Sequence, residues 1–293
     1  MKIRPFQPDD TPGLVELSAW CARGENDFVL NPYWEGAEEL AAEFERFGIE
    51  PAEHLLVADS GDGERLGLAG FLRLPKASTA ALFCPIVKRS ARGRGLGGEL
   101  LRAALRLGES LEITLATAAI GTRNRAGYSL LTSHGFRPVR QHFLMRCSTP
   151  KVAEPPFGGV AFCEAVADDA APILSLYELC GFAPRSGEAM ERALADGRHV
   201  HAVARQEGSV VAFVELETHW PRRVWVAYVG VAPELRDRGL GSSLVSWALA
   251  QRFASGAQCA LLMLSPANRT AVRAYEKVGF RRHRLVDVLE RAL

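Results

Sequence analysis

The pattern Arg-x-Arg-Gly-Leu-Gly occurs twice in this 293-residue chain, at residues 92–97 and 236–241. The two copies are 144 residues apart. The same spacing carries Asn124 onto Asn268, and Gly135-Phe136-Arg137 onto Gly279-Phe280-Arg281. Three separated landmarks in one register, with no net insertion between them, identify a duplicated domain. The length accommodates two domains of ordinary size. Between the copies, "STPKVAEPPFGG" (148–159) carries three prolines and two glycines and reads as a linker. These signals set the domains at 1–149 and 159–293, with 150–158 joining them.

The repeat unit is a mixed α/β fold with an α+β sheet. In the second copy, alternation gives an opening strand at 160–167, then helical character over 169–181 and 186–195. "HVHAVARQEGSVVAFVELETHW" reads as strand, tight turn, strand, and 223–232 as a third strand of the meander. Leu240, Leu244 and Trp247 share one helical face, so a helix starts at the glycine turn. A buried strand (259–265), a helix from Asn268 ended by Gly279, and a last strand (280–290) close the copy. The first copy repeats this with strands near 2–7, 54–60, 66–73 and 80–88, a helix at 95–107, a strand at 111–117, a helix at 124–134 and a closing strand at 136–147. Its helix 38–47 sets Leu40, Phe44 and Phe47 over an acidic face, a core-packing stripe.

Composition excludes some classes of partner. The formal net charge is +1, which argues against nucleic acid or a membrane surface. Six cysteines are scattered singly, without zinc spacing, and read as reduced thiols. No apolar signal core or run of about 18 apolar residues is present. A cytoplasmic protein without a bound metal is the expectation.

A strand running into Arg-x-x-Gly-x-Gly and then a helix suits a phosphate. The first N–H groups of the helix lack partners, the helix dipole adds positive character, and glycine lets an anion approach the backbone. The bland alternative is a tight turn with solvated arginines. Gly93-x-Gly95-x-x-Gly98 also satisfies a dinucleotide fingerprint, but Asp237 and Ser242 break it in the second copy. No Gly-Lys-Ser/Thr follows, so the P-loop pattern fails.

"VGVAPELRDRGLGSSLVSWAL" (229–249) resembles the coenzyme A-binding motif of the GNAT superfamily of N-acetyltransferases. "NRTAVRAYEKVGFR" (268–281) resembles the family's next motif. The resemblance covers both halves and implies a tandem acetyltransferase with acetyl-CoA as co-substrate, bound where two parallel strands splay apart. It implies that backbone groups of Val229 and Val231 hold the pantetheine arm. The pyrophosphate would rest on Arg236, Arg238, Gly239, Leu240, Gly241 and Ser242. In the first copy the matching set is Val87, Arg92, Arg94, Gly95, Leu96, Gly97 and Gly98, with Asn124. An N–H near Val229 is placed to stabilise an oxyanion.

Asn268 and Tyr275 are two helical turns apart and share a face, roughly 10 Å apart along the axis. Asn268 would bond the pantetheine while the Tyr275 phenol protonates the departing thiolate. Their bland readings are a helix cap and a half-buried aromatic. Glu215 and Glu217 are the candidate bases for the acceptor amine, with Tyr228 and His219 behind them. Surface charge is the competing account of both glutamates. His199 and His201 share one strand face and read as structural. Trp20, Tyr33, Trp34, Tyr177, Phe182 and Arg185 fall where the family builds acceptor pockets, or else are core.

The copies are not equivalent. The offset carries Tyr275 onto Leu131, with Tyr128 one turn earlier. The second copy is therefore expected to catalyse and the first to be degenerate. The expected acceptor is a small-molecule amine, and the expected state a monomer or homodimer. A protein N-terminus or lysine is the alternative acceptor, and a non-catalytic CoA sensor or scaffold the alternative class.

Overall fold

The computed structural model describes residues 1–73 and 77–293. The chain divides into two compact units, Met1–His142 with Arg284–Leu293, and Phe143–His283. The elements are β1 (Lys2–Pro5), α1 (Thr11–Arg23), α2 (Ala37–Phe47), α3 (Pro51–His54), β2 (Leu55–Asp59), β3 (Arg65–Leu72), β4 (Thr79–Val87), α4 (Leu96–Ser110), β5 (Leu115–Gly121), α5 (Arg125–Ser133) and β6 (Arg137–Cys147). They continue as β7 (Val160–Glu164), α6 (Ala170–Leu179), α7 (Gly187–Ala195), β8 (His199–Gln206), β9 (Ser209–Trp220), β10 (Arg223–Val231), α8 (Leu240–Ala254), β11 (Cys259–Leu264), α9 (Arg269–Val278) and β12 (Arg281–Ala292).

The first unit's strands run β1-β2-β3-β4-β5-β12, and the second's β6-β11-β10-β9-β8-β7. In each unit the meander is antiparallel, and one pair, β4 with β5 or β10 with β11, is parallel. The helix after each glycine turn packs the sheet through the same pattern. Leu96, Leu100, Leu101, Ala104 and Leu105 are buried in α4, and Leu240, Leu244, Val245, Ala248 and Leu249 in α8. That is one stripe at i, i+4, i+5, i+8 and i+9. Each leucine so buried contributes about 2 kcal/mol of apolar transfer.

The closing strands correct the sequence reading. Leu289 of β12 pairs with Ala118 of β5, and Met145 of β6 with Leu262 of β11. Each copy's last strand thus belongs, in its apolar part, to the other copy's unit. Leu289 is buried in the first core and Met145 in the second. Both strands open largely polar (Arg137–Gln141 and Arg281–Arg284) and carry an apolar-rich stretch after that (Phe143–Met145 and Leu285–Leu289), so alternation along the sequence does not distinguish partners.

The linker is also not a free spacer. Lys151 N–H donates to Val278 O (2.9 Å), Ser246 Oγ donates to Lys151 O (2.6 Å), and the Arg238 guanidinium lies 4.4 Å from the Phe157 ring centre. The strand expected at 111–117 begins four residues later. Ile113 N–H still bonds Gly108 O, with Glu112 left-handed at φ +56°, so residues 111–113 finish α4.

Candidate acetyl-transfer site

β10 pairs with β11 only from Arg223–Cys259 to Trp225–Leu261, and β4 with β5 only from Thr79–Leu115 to Ala81–Thr117. Beyond those residues the parallel strands part into a fork. Ala232 N–H donates to Val211 O on the β9 side. Alternation then turns the N–H groups of Val231 and Val229 into the second unit's fork. A β-bulge between Val226 and Tyr228 re-aims the strand just before them.

The glycine turn opens at the end of each fork. Gly95 (φ +85°) and Gly239 (φ +86°) are the N-caps of α4 and α8, in the left-handed region that glycine adopts without strain. Leu96 and Leu240 are buried and offer the turn only their backbone, while Ser242 Oγ donates to Gly239 O at 2.9 Å. A Cβ on Gly241 would lie 3.1 Å from Val231 Cγ2, so the helix start is pressed against the strand end.

Arg92 and Arg236 staple the turn. Arg92 Nε donates to Val87 O (2.8 Å) and Arg236 Nε to Val231 O (3.0 Å). Arg236 Nη2 also donates to Leu179 O, whereas Arg92 Nη1 pairs with Asp27 at 2.6 Å. Both side chains are committed to protein partners. Arg94 and Arg238 are exposed beside the helix-start N–H groups, Arg238 with its guanidinium over the Phe157 ring.

Asn124 and Asn268 cap α5 and α9, their Oδ1 atoms accepting from Gly127 N–H (2.9 Å) and Ala271 N–H (3.1 Å). Capping is therefore a definite role of each. Asn124 Nδ2 is taken by Phe28 O at 3.3 Å. Tyr275 packs on the second core with its ring 5.6 Å from Phe280, and burial pushes its phenol up to about 12.

The first unit keeps the glycine turn and the Asn cap but is altered at other matching places. Leu131 stands for Tyr275 and is core. Tyr128 does not replace it: it lines a separate cleft with Thr122, Arg125 and Gln141, while Ala126, Gly127 and Leu130 face the fork. Pro85 stands for Val229, so no N–H exists there. The fork itself is occupied by residues 28–31. Leu30 N–H donates to Ala119 O (2.9 Å), Gly121 N–H to Phe28 O (2.9 Å) and Cys84 N–H to Asn31 O (2.8 Å). A cleft of about 220 Å³ remains beside it, lined by Val87, Arg92, Gly95, Gly97 and Asn124 among others. Gly98 lies on the neighbouring helix turn, near Arg102. Among the described residues, no backbone segment bonds into the second unit's fork in this way.

Sequence reasoning placed Glu215 as a candidate base, and the structure sets it within a network of donors. Glu215 is buried on β9, opposite Tyr228. Arg185 Nη1 and Nη2 donate to Oε2 and Oε1 (3.0 and 3.3 Å), the Tyr177 hydroxyl donates to Oε2, and His199 Nδ1 lies 3.2 Å from Oε1. His201 Nε2 is 3.4 Å from Oε2. Burial alone would raise the carboxyl, but hydrogen bonds from His199, His201 and Tyr177 hold it far below the usual range. Glu217 is half-buried one residue pair along the same face, 3.7 Å from His219 Nε2. Ligand atoms of His199, Glu215 and Glu217 lie within 4.8 Å of one another, yet the Arg185 guanidinium already stands beside Glu215 as the cation. Tyr33, Trp34 and Tyr177 are core, whereas Trp20, Phe182 and Arg185 are only partly covered.

The sequence profile described as "Acetyltransferase (GNAT) family" matches residues 21–136 and again 166–280. A mycothiol acetyltransferase of Streptomyces griseus is 31% identical over 245 residues, covering 76% of each chain. One from Thermobispora bispora is 28% identical over 308 residues, covering 97% of this chain and 96% of its own. Among solved structures, a GCN5-related N-acetyltransferase from Sphaerobacter thermophilus superposes with TM-score 0.81 at 21% identity, over 99% of this chain and 95% of that one. A tandem GNAT protein from the clavulanic acid biosynthesis pathway gives 0.72 at 15%, over 99% and 98%. No helix among the described residues is long and apolar enough to cross a membrane. Members of the family use acetyl-CoA as co-substrate. The chain belongs to the GNAT acetyltransferase family as a tandem of two such domains, and it is an N-acetyltransferase.

Proposed function

We propose that the second unit transfers the acetyl group of acetyl-CoA to the amine of a small molecule, and that the first unit does not catalyse. The observation that carries this reading is the contrast between the forks. One is open, with the Val229 N–H and Tyr275. The other holds residues 28–31, with Pro85 and Leu131 at the matching positions. The small-molecule acceptor is supported by the mycothiol acetyltransferase relatives.

The residues present fit acetyl-CoA. The N-terminus of α8 and Arg238 receive the pyrophosphate, and Val229 and Val231 offer backbone pairing to the pantetheine. Acetyl-CoA, when bound, supplies the acetyl group as a thioester. The Val229 N–H stabilises negative charge on the acetyl oxygen. The amine nitrogen bonds the acetyl carbon, the carbon–sulfur bond breaks, and Tyr275 gives its proton to the sulfur. Glu217, the more open carboxylate, takes the amine proton through water. With α8 and Tyr275 on one face of the sheet, the amine enters from the face of α6 and α7, where Tyr228 and Arg185 lie.

Substituting Tyr275→Phe tests the assignment. Turnover should fall about 100-fold with acetyl-CoA affinity retained. Gly241→Trp should abolish transfer, while Gly97→Trp should leave it. Full activity in Tyr275→Phe, or loss only with Gly97→Trp, would move the reaction elsewhere.

A further inference from the structure

Glu215 is an expensive feature. It is a 1%-exposed carboxylate held by three side chains from three elements, with a fourth, His201, in contact. The fold does not require it. In the first unit the matching register, beside the bulge of β4, pairs Gly70 with Phe83 where the second pairs Glu215 with Tyr228. There the neighbouring space is filled by Trp34, fully buried and packed on Phe83 and Phe44, with its Nε1 donating to the buried Glu43 at 2.8 Å. A buried ion cluster is seldom more stable than packed apolar side chains of similar volume. The cluster occurs in the unit with the open fork, on the face left for the amine.

Its geometry is specific. Glu215 Oε1 meets both Arg185 Nη2 (3.3 Å) and His199 Nδ1 (3.2 Å), so the two side chains stand next to each other. Arg185 lies over the rings of Tyr177 (5.1 Å) and Tyr228 (5.8 Å), which fixes its plane beside the bulge. In the neutral imidazole, donation from Nδ1 to Glu215 leaves Nε2 of His199 an acceptor. Arg185 keeps further N–H donors beyond those on Glu215. Arg185 is 22% and His199 13% exposed at the side chain, so both reach the surface that Glu215 does not.

We propose that Glu215 is a positioning residue that sets Arg185 as donor and His199 as acceptor on the acceptor wall, selecting amines that carry a hydroxyl over amines that carry a carboxylate. A hydroxyl satisfies a donor and an acceptor together. A carboxylate satisfies only the donor, faces the His199 lone pair, and competes with Glu215 for a guanidinium whose charge is already matched. This rests on the second unit being the transferase.

The test compares ethanolamine with glycine and serinol with serine, on the full chain with acetyl-CoA. Transfer is followed by free thiol, and binding to the CoA-loaded protein by saturation-transfer NMR. The wild type should favour the hydroxyl amine about tenfold in each pair. Glu215→Gln should raise the KM for the hydroxyl amines about tenfold and erase the preference, with a lowered Tm but acetyl-CoA affinity retained at a temperature where the variant is folded. Glu215→Asp should recover part of the preference. Equal use of both amines by the wild type, a preference that survives in Glu215→Gln, or a parallel loss of acetyl-CoA affinity would overturn the proposal. Selective binding of the hydroxyl amines without transfer would uphold it while refuting the transferase reading of this unit. Transfer without selection would do the reverse.

Discussion

Tyr275 is half-buried against the second core, and burial pushes its phenol up to about 12. The direction matters for the reaction. A raised phenol stays protonated as the pH climbs past the ordinary tyrosine value near 10, and loses its proton only near 12. The acid form is therefore complete throughout the neutral and mildly alkaline range. The kcat/KM profile should show no descending limb from this group until about pH 12, and Tyr275→Phe should lower the plateau without moving any lower limb. A descending limb centred near pH 10 in the wild type and absent from Tyr275→Phe would mean that the phenol is exposed. The residue's candidacy was legible, because the repeat offset set Tyr275 against Leu131 with no structure in hand. The same offset set Val229 against Pro85, equally visible in the sequence. Its meaning depended on knowing that this N–H faces the fork, which the bond from Ala232 to Val211 supplies.

At the scale of elements, both units start their first long helix from the same device. Asp10 and Asp169 end short 3-10 turns and accept from the N–H three residues back, Gln7 at 2.7 Å and Val166 at 2.8 Å. Each also binds arginine. Arg4 and Arg65 meet Asp10 at 2.8 and 2.6 Å, and Arg205 meets Asp169 at 2.7 Å. The pairs Asp9-Asp10 and Asp168-Asp169 recur in the sequence at a spacing of 159 rather than 144, so one register cannot show both the glycine turns and these turns. The difference lies within the copies, since Asp10 to Arg92 spans 15 more residues than Asp169 to Arg236. Burial would raise Asp10, but Arg4, the Gln7 N–H and Arg65 outweigh it and lower the carboxyl. A lowered carboxyl stabilises the fold fully above its unfolded value near 4 and loses that contribution as the pH falls below it. Asp10→Asn should cost about 3 kcal/mol, since it removes the fully buried carboxylate charge that Arg4 and Arg65 share, and should flatten the acid side of the stability–pH curve. Urea unfolding at pH 7 and pH 4 measures both. A loss under 1 kcal/mol at pH 7 would mean that the arginines find other partners.

For the whole molecule, the exchanged strands decide how the chain holds together. The glycine turns, the meanders and the duplication were readable because each rests on local pattern or on repetition. The exchange was not readable, since the apolar ends of β6 and β12 are interchangeable as patterns, and only pairing in space tells which sheet receives which. The occupied first fork was equally hidden, because residues 28–31 have no regular periodicity of their own. The exchange has a mechanical consequence. The first unit needs Val286–Ala292 along β5, and the second needs Phe143–Cys147 along β11. Cutting the chain between 152 and 155 would leave each fragment supplying a core strand to the other's unit. A protease site inserted there, followed by cleavage under native conditions, should give two fragments that co-elute on size exclusion at the mass of the intact chain. They should separate only in denaturant, and the paired fragments should retain a single unfolding transition. Two independently eluting folded fragments would show that each copy can close its own sheet, and would remove strand exchange as the reason for the chain's cohesion.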